Sequence, residues 1–365
     1  MLQTARWRGQ VSIVACAQRL LPPGAHSVPE YERLAVDAVH DMLAEGGFLG
    51  RETVTQVGWD ALAVRNLRVP VMPEDEVARV VEFEASERFG LEPSAAELRF
   101  LVAGDVRQGT EMRQELIVLG ATTADLERHT ALLDRMGLRP AAIDAGPCAV
   151  FRGFERFLRR DEDRNAVNAF VDLGCGAARL IVARGPEIIF YKAVPIGAGR
   201  FDELASEQLD LSLAEASELR LRLHRQQMLE AIGVESGCEE TVAPSVQRAL
   251  ADALRPAVEQ LGKEITLCLR YCSVTFRGIR CDEVTVVGGE AHGQDLLRML
   301  SDQVGVPFRV GRPMRGLGSE TDAGGVDRRS GQPEWATALG LALKPVGEAA
   351  GRAAARSGPG QEAAA

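Results

Sequence analysis

The sequence is short of the features that mark membrane proteins and nucleic-acid-binding proteins. No stretch approaches the roughly 18 consecutive apolar residues that a membrane-spanning helix needs. Asp and Glu number 52 against 42 Lys and Arg, and the resulting net charge of −10 argues against a broad nucleic-acid surface. Residues 1–18 contain only a short apolar run and no clear signal-peptide cleavage site, so we interpret them as a strand.

Cysteine and histidine are too scattered for a disulfide framework or a metal centre. The seven cysteines are odd in number and include no Cys-x-x-Cys pair, and the five histidines never stand at metal-ligand spacing. We therefore expect reduced, buried thiols, which are typical of a cytoplasmic protein, and no zinc site. Cys175 follows a strand, where nearby amides could activate its thiol, but a small loop filler is the simpler interpretation.

What the chain does contain is the composition of a globular protein with two domains. Its 365 residues correspond to about two domains of roughly 150 residues, with 46% hydrophobic and 26% charged residues. We place the first domain at 1–162, with an inserted module at about 67–136. The second domain is placed at 163–345, with a helical region at about 200–280. The Ala- and Gly-rich tail at 346–365 is predicted to be disordered.

The inserted module is predicted from helical and strand-like patterns that follow one another. Residues 74–90 begin with acids that suit a helix N-terminus and continue with an apolar stripe. Strands follow at 98–104 and 114–121, separated by a polar loop, and Thr123 caps the next helix. This order indicates a small α/β unit.

Three single residues receive interpretations from their positions alone. Pro256 lies within an apolar helical pattern and should kink that helix or split it in two. Trp59 is expected in the core. Asp144 stands at a strand end and could face a ligand cleft, but a surface acid is the simpler interpretation.

The first motif that could carry chemistry is VDLGCGAARL at 171–180. Asp172 ends a strand and could hold a metal-bound water over a polyphosphate. Gly174 and Gly176 would let backbone N–H groups approach phosphate oxygens, which a Cβ atom would obstruct. An ordinary tight hairpin explains the same glycines equally well.

The second motif is VTVVGGEAHGQDLL at 284–297. Gly288 and Gly289 stand where a buried strand gives way to a helix, whose N-terminal amides would suit a phosphate or a ribose. A single Gly-Gly pair is weak evidence for a nucleotide-binding site. It gains weight because the Asp172 hairpin lies about a hundred residues upstream, with a helical region between the two.

This pair of motifs resembles the actin, Hsp70 and sugar-kinase superfamily, and the chain is most similar to the PilM family, FtsA-like proteins of type IV pilus assembly. The similarity extends over roughly residues 1–343. The segments that support it are RVPVMPEDEVARVVEFEA (68–85), GLRPAAIDAGPCAVFRGF (137–154), YKAVPIGAGRFDELASEQL (191–209) and WATALGLALK (335–344). It implies an α/β, actin-like (ribonuclease H-like) two-domain fold with a small inserted α/β subdomain.

The resemblance also implies a function. The protein would be a cytoplasmic, nucleotide-binding scaffold at the inner membrane, with weak or absent ATPase activity. Its partner would be a peptide of a PilN-like membrane protein, docked between the first domain and the inserted module. Pilus-assembly ATPases are further implied partners, membrane contact would come only through partners, and a homo-oligomer is compatible with the family. No nucleic acid is implied.

The family's site residues can be placed on this chain one by one. A phosphate loop would contain Asp172, Gly174, Cys175, Gly176 and Ala177, with Asp172 holding Mg²⁺ through water. Gly288, Gly289 and Glu290 would form the adenosine loop of an ATP site, and Ser217 and Arg220 stand where the family's helix carries an acid and a lysine. No catalytic residue is implied.

Two departures from the family pattern bear on these expectations. Met1 already corresponds to the family's second strand, so we expect the first strand and first phosphate loop to be missing. Ala177 and Ala178 replace the hydroxyl residues that many relatives carry. Two alternatives stay open: an ATP-dependent small-molecule kinase, and an FtsA-like division protein, although the C-terminal tail lacks the large apolar residues of a membrane-binding helix.

Overall fold

The computed structural model describes residues 1–22, 28–233, 241–319 and 331–346. The predicted disordered tail lies outside these residues, apart from its first position. The helices are α1 (Val28–Glu45), α2 (Glu74–Phe89), α3 (Thr123–Arg135), α4 (Gly146–Glu155), α5 (Ala198–Leu209), α6 (Leu213–Ala231), α7 (Pro244–Thr275), α8 (Gln294–Val304) and α9 (Ala336–Ala342). The strands are β1 (Leu2–Trp7), β2 (Gln10–Cys16), β3 (Glu52–Gln56), β4 (Ala63–Pro70), β5 (Ala96–Gln108), β6 (Glu111–Thr122), β7 (Arg139–Asp144), β8 (Val167–Leu173), β9 (Ala178–Arg184), β10 (Glu187–Val194), β11 (Val284–Val287), β12 (Phe308–Val310) and β13 (Gly318–Ser319).

The sheet of the second half has five strands in the order β10-β9-β8-β11-β12. Strands β8, β9 and β10 pair antiparallel, whereas β11 runs parallel to both β8 and β12. Strands β8 and β9 are almost continuously buried, since α4 covers one face of the sheet and α7 contacts β9 and β10. Parallel pairing brings the carboxyl ends of β8 and β11 to the same edge.

The inserted module is a sheet in the order β4-β6-β5 with α2 on one face. Along β6, side chains alternate between the two faces: Leu116 and Val118 pack against α2, while Ile117 and Leu119 join the main core with Phe190 of β10. Because both faces are covered, most of β6 is buried. The module therefore packs directly on the second half of the chain.

Outside the inserted module, the described strands of the first half lie in two separate sheets. In one, β1 and β2 are joined by β13 from late in the chain, and the other is the parallel pair β3-β7. Helix α9 contacts both β1 and β3. The Gln3 side-chain amide joins the two sheets, since its nitrogen donates to the Leu49 carbonyl (2.8 Å) and its oxygen accepts from the Leu49 N–H (2.9 Å).

Several local predictions change in the structure. Residues 1–18 form a β-hairpin rather than a single strand, because Arg8 and Gly9 take positive φ angles and turn the chain. Strands β5 and β6 extend through the expected polar loop to a short turn after Gln108. Thr122, not Thr123, caps α3 by accepting from the Asp125 N–H. Helix α7 runs through Pro256 without a break.

No helix in the described ranges is long and apolar enough to cross a membrane.

Candidate functional site

The candidate site lies where the loops after β8 and β11 meet. Asp172 pairs with Val287 across the parallel strands, so the next residues of both strands are neighbours. Gly288 has a φ of +90°, and a Cβ atom there would lie 2.8 Å from Asp172 Oδ1 and closer still to the Leu173 carbonyl oxygen. Only glycine fits this close approach.

Two carbonyl groups of the loop 174–177 accept hydrogen bonds from the N-terminus of α5. The N–H groups of Ala198 and Gly199, at the start of α5, donate to the carbonyl oxygens of Gly174 and Cys175, each at 3.0 Å. Gly197 lies so close to the loop that a Cβ atom would clash with its backbone. The N-terminus of α5 therefore sets the orientation of the loop's peptide groups.

Two backbone N–H groups of the same loop are left without a hydrogen-bond partner among the described residues. The Gly174 N–H donates to the Ala177 carbonyl at 3.1 Å, while the N–H groups of Cys175 and Gly176 have no hydrogen-bond partner among the described residues. Cys175 is exposed. Two adjacent N–H donors in a glycine-containing turn can bind an anionic oxygen.

Arg179 occupies the position beside Asp172. The two residues face each other across the β8–β9 hairpin, and Arg179 Nη2 lies 2.9 Å from Asp172 Oδ2. Burial raises the pKa of Asp172, and the Arg179 guanidinium opposes that increase. A Cβ atom on Gly174 would lie 2.5 Å from Arg179 Nη2, so the guanidinium packs on the loop itself. Arg179 Nε is buried and has no hydrogen-bond partner among the residues that the structure describes.

Trp59 is not a core residue, contrary to the sequence-based expectation. It is 38% exposed, and a Cβ atom on Gly176 would lie 2.6 Å from the indole Nε1. The side chain belongs to the turn between β3 and β4 and reaches across to the second domain. It therefore covers part of the loop 174–177.

The opposite side of the site is a buried network centred on Arg220 of α6. Arg220 Nη1 donates to Asp202 Oδ1 at 2.5 Å, Nη2 contacts Glu290 Oε2, and the Ser217 side chain hydrogen-bonds Asp202. Burial raises the pKa of Asp202 against the effect of Arg220. Burial alone would lower the pKa of Arg220, but Glu290 and Asp202 outweigh it and raise that pKa.

A small cavity of about 30 Å³ adjoins this network between α6, α7 and α8. His224 Nε2 lies 3.8 Å from Glu290 Oε2, and within the described ranges its buried Nδ1 has no hydrogen-bond partner. Burial lowers the pKa of His224. The other side chains around the cavity are mostly apolar, among them Leu223, Leu250, Leu254, Val258, Leu296 and Met299.

The structure brings the sequence-predicted site residues together in two groups. The first group is the loop 174–177 with Asp172 and Gly288 beside it. The second group is the buried network of Ser217, Arg220 and Glu290. Gly289 faces open space. Their role in binding stays a prediction.

The sequence reasoning missed Arg179, Asp202 and His224. The hairpin register could have revealed Arg179, since a turn over 174–177 places it opposite Asp172. Asp144 is not the expected surface acid: it is buried and accepts from Arg152 Nη1 at 2.8 Å and Lys344 Nζ at 3.0 Å. Its ion pairs tie β7 to α4 and to the segment after α9.

The residues present fit a nucleotide's phosphates better than they fit Mg²⁺. Asp172 already pairs with a cation, and Ala177 and Ala178 offer no side-chain oxygen as a ligand. No group of three or more His, Cys, Asp or Glu side chains in the described ranges could hold a metal ion. The free amides of the loop 174–177 and the close approach at Gly288 suit phosphate oxygens.

Comparisons with known proteins give one strong likeness. The family model of type IV pilus assembly protein PilM matches residues 5–346. A chain of the PilM-PilN type IV pilus biogenesis complex superposes with a TM-score of 0.74 at 22% identity, covering 94% of this chain and 95% of that chain.

Two further solved structures are more distant. The ethanolamine utilization protein EutJ from Carboxydothermus hydrogenoformans has a TM-score of 0.41 at 16% identity, over 61% of this chain and 62% of that chain. MreB 5 of Spiroplasma citri bound to AMPPNP has a TM-score of 0.38 at 11% identity, over 60% and 63%. The likeness to the PilM chain confirms the expected α/β fold of this family.

Proposed function

This chain belongs to the family of type IV pilus assembly protein PilM, and on that premise we propose that it is a scaffold of the inner-membrane assembly platform. It binds a cytoplasmic peptide of a PilN-like membrane protein and holds an adenine nucleotide without hydrolysing it. The protein acts in the cytoplasm and reaches the inner membrane through that partner. Pilus-assembly ATPases are the further partners that such a platform would bring to it.

The absence of an available carboxylate is the observation that carries the non-catalytic role. A kinase or ATPase of this type needs an acidic side chain that can orient or deprotonate the attacking group. Asp172 is paired with Arg179, and the remaining acids, Asp202 and Glu290, are both paired with Arg220. Each of these three carboxylates is therefore held by an arginine rather than directed at an attacking group.

The placement of the inserted module supports a peptide-binding role. The module connects to the first domain through the chain entering β4 and leaving β6, and among the described strands β4 pairs with β6 alone. The other edge of β4 can therefore pair with an extended peptide, which is a frequent mode of peptide recognition. The similarity to a PilM chain from a PilM-PilN complex supports a PilN-like peptide as the partner.

Calorimetric titration of the N-terminal cytoplasmic peptide of the PilN-like protein tests this proposal. Arg65 is exposed on β4 near the first domain, so Arg65→Glu should weaken binding by about tenfold or more through altered charge beside the peptide. Arg107 is exposed near the far tip of the same sheet, and Arg107→Glu is the matched control that should bind normally. Absence of binding by the wild-type chain would refute the scaffold role.

A further inference from the structure

Arg179 is the one cation in contact with Asp172 among the described residues. The pair is formed within one hairpin, where the register places the two residues directly opposite each other. Asp172 is 3% exposed, so solvent screens the pair little. The carboxylate that would orient a hydrated metal ion is therefore already neutralised by a residue of the chain.

We infer that the loop 174–177 binds the phosphates of an adenine nucleotide without a metal ion, with the Arg179 guanidinium and the N–H groups of the loop as hydrogen-bond donors. This inference rests on the proposed nucleotide binding and adds the groups that hold the phosphates in place of a cation.

The donors around the loop suit this arrangement. Arg179 Nη2 contacts Asp172 and its Nε is buried, but Nη1 has no hydrogen-bond partner among the described residues and remains available as a donor. The N–H groups of Cys175 and Gly176 lie in the same loop without partners. An arginine guanidinium together with backbone N–H groups provides the hydrogen-bond donors that phosphate oxygens need.

A metal ion would be disfavoured at the same place. Mg²⁺ needs oxygen ligands in near-octahedral geometry, but Ala177 and Ala178 have no side-chain oxygen. A divalent cation beside Asp172 would also be repelled by the guanidinium. Binding Mg²⁺ would require Arg179 to leave a buried ion pair.

Calorimetric titration of ADP into the full chain, once with excess Mg²⁺ and once with EDTA, tests the inference. We expect dissociation constants that agree within about twofold, since Arg179 and the N–H donors of the loop are the same in both buffers. Binding that weakens about tenfold or more in EDTA would overturn the inference and leave the proposed nucleotide binding intact. No ADP binding in either buffer would overturn both.

Variants at Arg179 make the test specific. Arg179→Lys keeps the charge and should still bind ADP in EDTA, whereas Arg179→Gln should lose about tenfold or more in EDTA and recover part of that loss with Mg²⁺, because Asp172 is then free. Arg309→Gln, at an exposed ion pair with Glu283, is the control for a removed surface charge. If Arg179→Gln binds ADP in EDTA like the wild type, the inference is wrong.

A second readout does not depend on affinity alone. The Trp59 indole covers Gly176, so a phosphate entering the loop should change Trp59 fluorescence. The signal should appear with ADP in EDTA and disappear in Trp59→Phe. A fluorescence change that occurs only with Mg²⁺ would contradict metal-independent binding.

Discussion

The substitution Tyr271→Phe tests how the inserted module is attached to the second domain. Tyr271 lies on α7, and its hydroxyl donates to Glu115 Oε1 on β6 at 2.7 Å. Glu115 is 2% exposed and also accepts from Arg68 Nε at 2.8 Å. The Tyr271 ring packs on Phe190 with centroids 5.4 Å apart, so phenylalanine can keep the apolar contact.

The expected cost follows from the hydrogen bond alone. Removing the hydroxyl leaves a buried carboxylate oxygen without its donor, and such a loss costs about 1–3 kcal/mol of unfolding free energy. Because Arg68 still neutralises Glu115, we expect a value within that range rather than the larger cost of an unpaired buried charge. Urea unfolding followed by circular dichroism measures the difference.

Tyr31→Phe is the matched control, since Tyr31 is 53% exposed on α1. Its unfolding free energy should change by less than about 0.5 kcal/mol, as for most surface substitutions. If Tyr271→Phe is as stable as Tyr31→Phe, the hydroxyl does not hold the module in place. In that case the apolar contacts of Ile117 and Leu119 with the main core would account for the attachment.

Three further outcomes are expected. Gly288→Ala should lower the unfolding free energy by about 2 kcal/mol or more in urea unfolding, because its φ is positive and its Cβ atom would meet the end of β8. Gly289→Ala is the control and should be nearly neutral. Equal effects of the two substitutions would contradict the close approach of Gly288 to β8. Gly340→Ala should lower the melting temperature strongly, because its Cβ atom would overlap the Ala149 carbonyl where α9 packs on α4. An unchanged melting temperature would refute that packing. Burial lowers the pKa of His224, so the unfolded chain binds the proton more readily, and the unfolding free energy falls as pH drops below the unfolded-state pKa of about 6.5. The variant His224→Gln should therefore lose less unfolding free energy than the wild type between pH 7 and 5.5. An equal loss in both proteins would refute this role of His224.

Local patterns in the sequence predicted most of the elements but not all of their ends. The apolar runs of β8 and β9 and the acid-led start of α2 are strong local signals, and the elements formed there. The polar hairpin tip between β5 and β6 was predicted too long, because β pairing continues through exposed polar residues once a partner strand lies alongside. Pro256 was expected to kink α7 or split it in two; the helix is not split, and the kink stays a prediction.

Long-range contacts explain what the sequence could not predict. Glu115 and Tyr271 are 156 residues apart, and no periodicity links a carboxylate on a strand to a hydroxyl on a distant helix. Trp59 reads as a core residue by its chemistry, yet the turn that carries it places it on Gly176. The two glycine motifs were informative because the parallel pairing of β8 and β11 brings both loops to one edge of the sheet.

The most direct test of a scaffold that binds nucleotide without chemistry is a single sample of the purified chain with labelled ATP. Bound nucleotide is measured by rapid filtration, and released phosphate is measured in the same tube, with and without the PilN-like peptide. We expect bound ATP in proportion to protein and phosphate release no faster than in buffer, because Asp172, Asp202 and Glu290 are all held by arginines. Multiple turnovers per chain, in either condition, would contradict the non-catalytic scaffold.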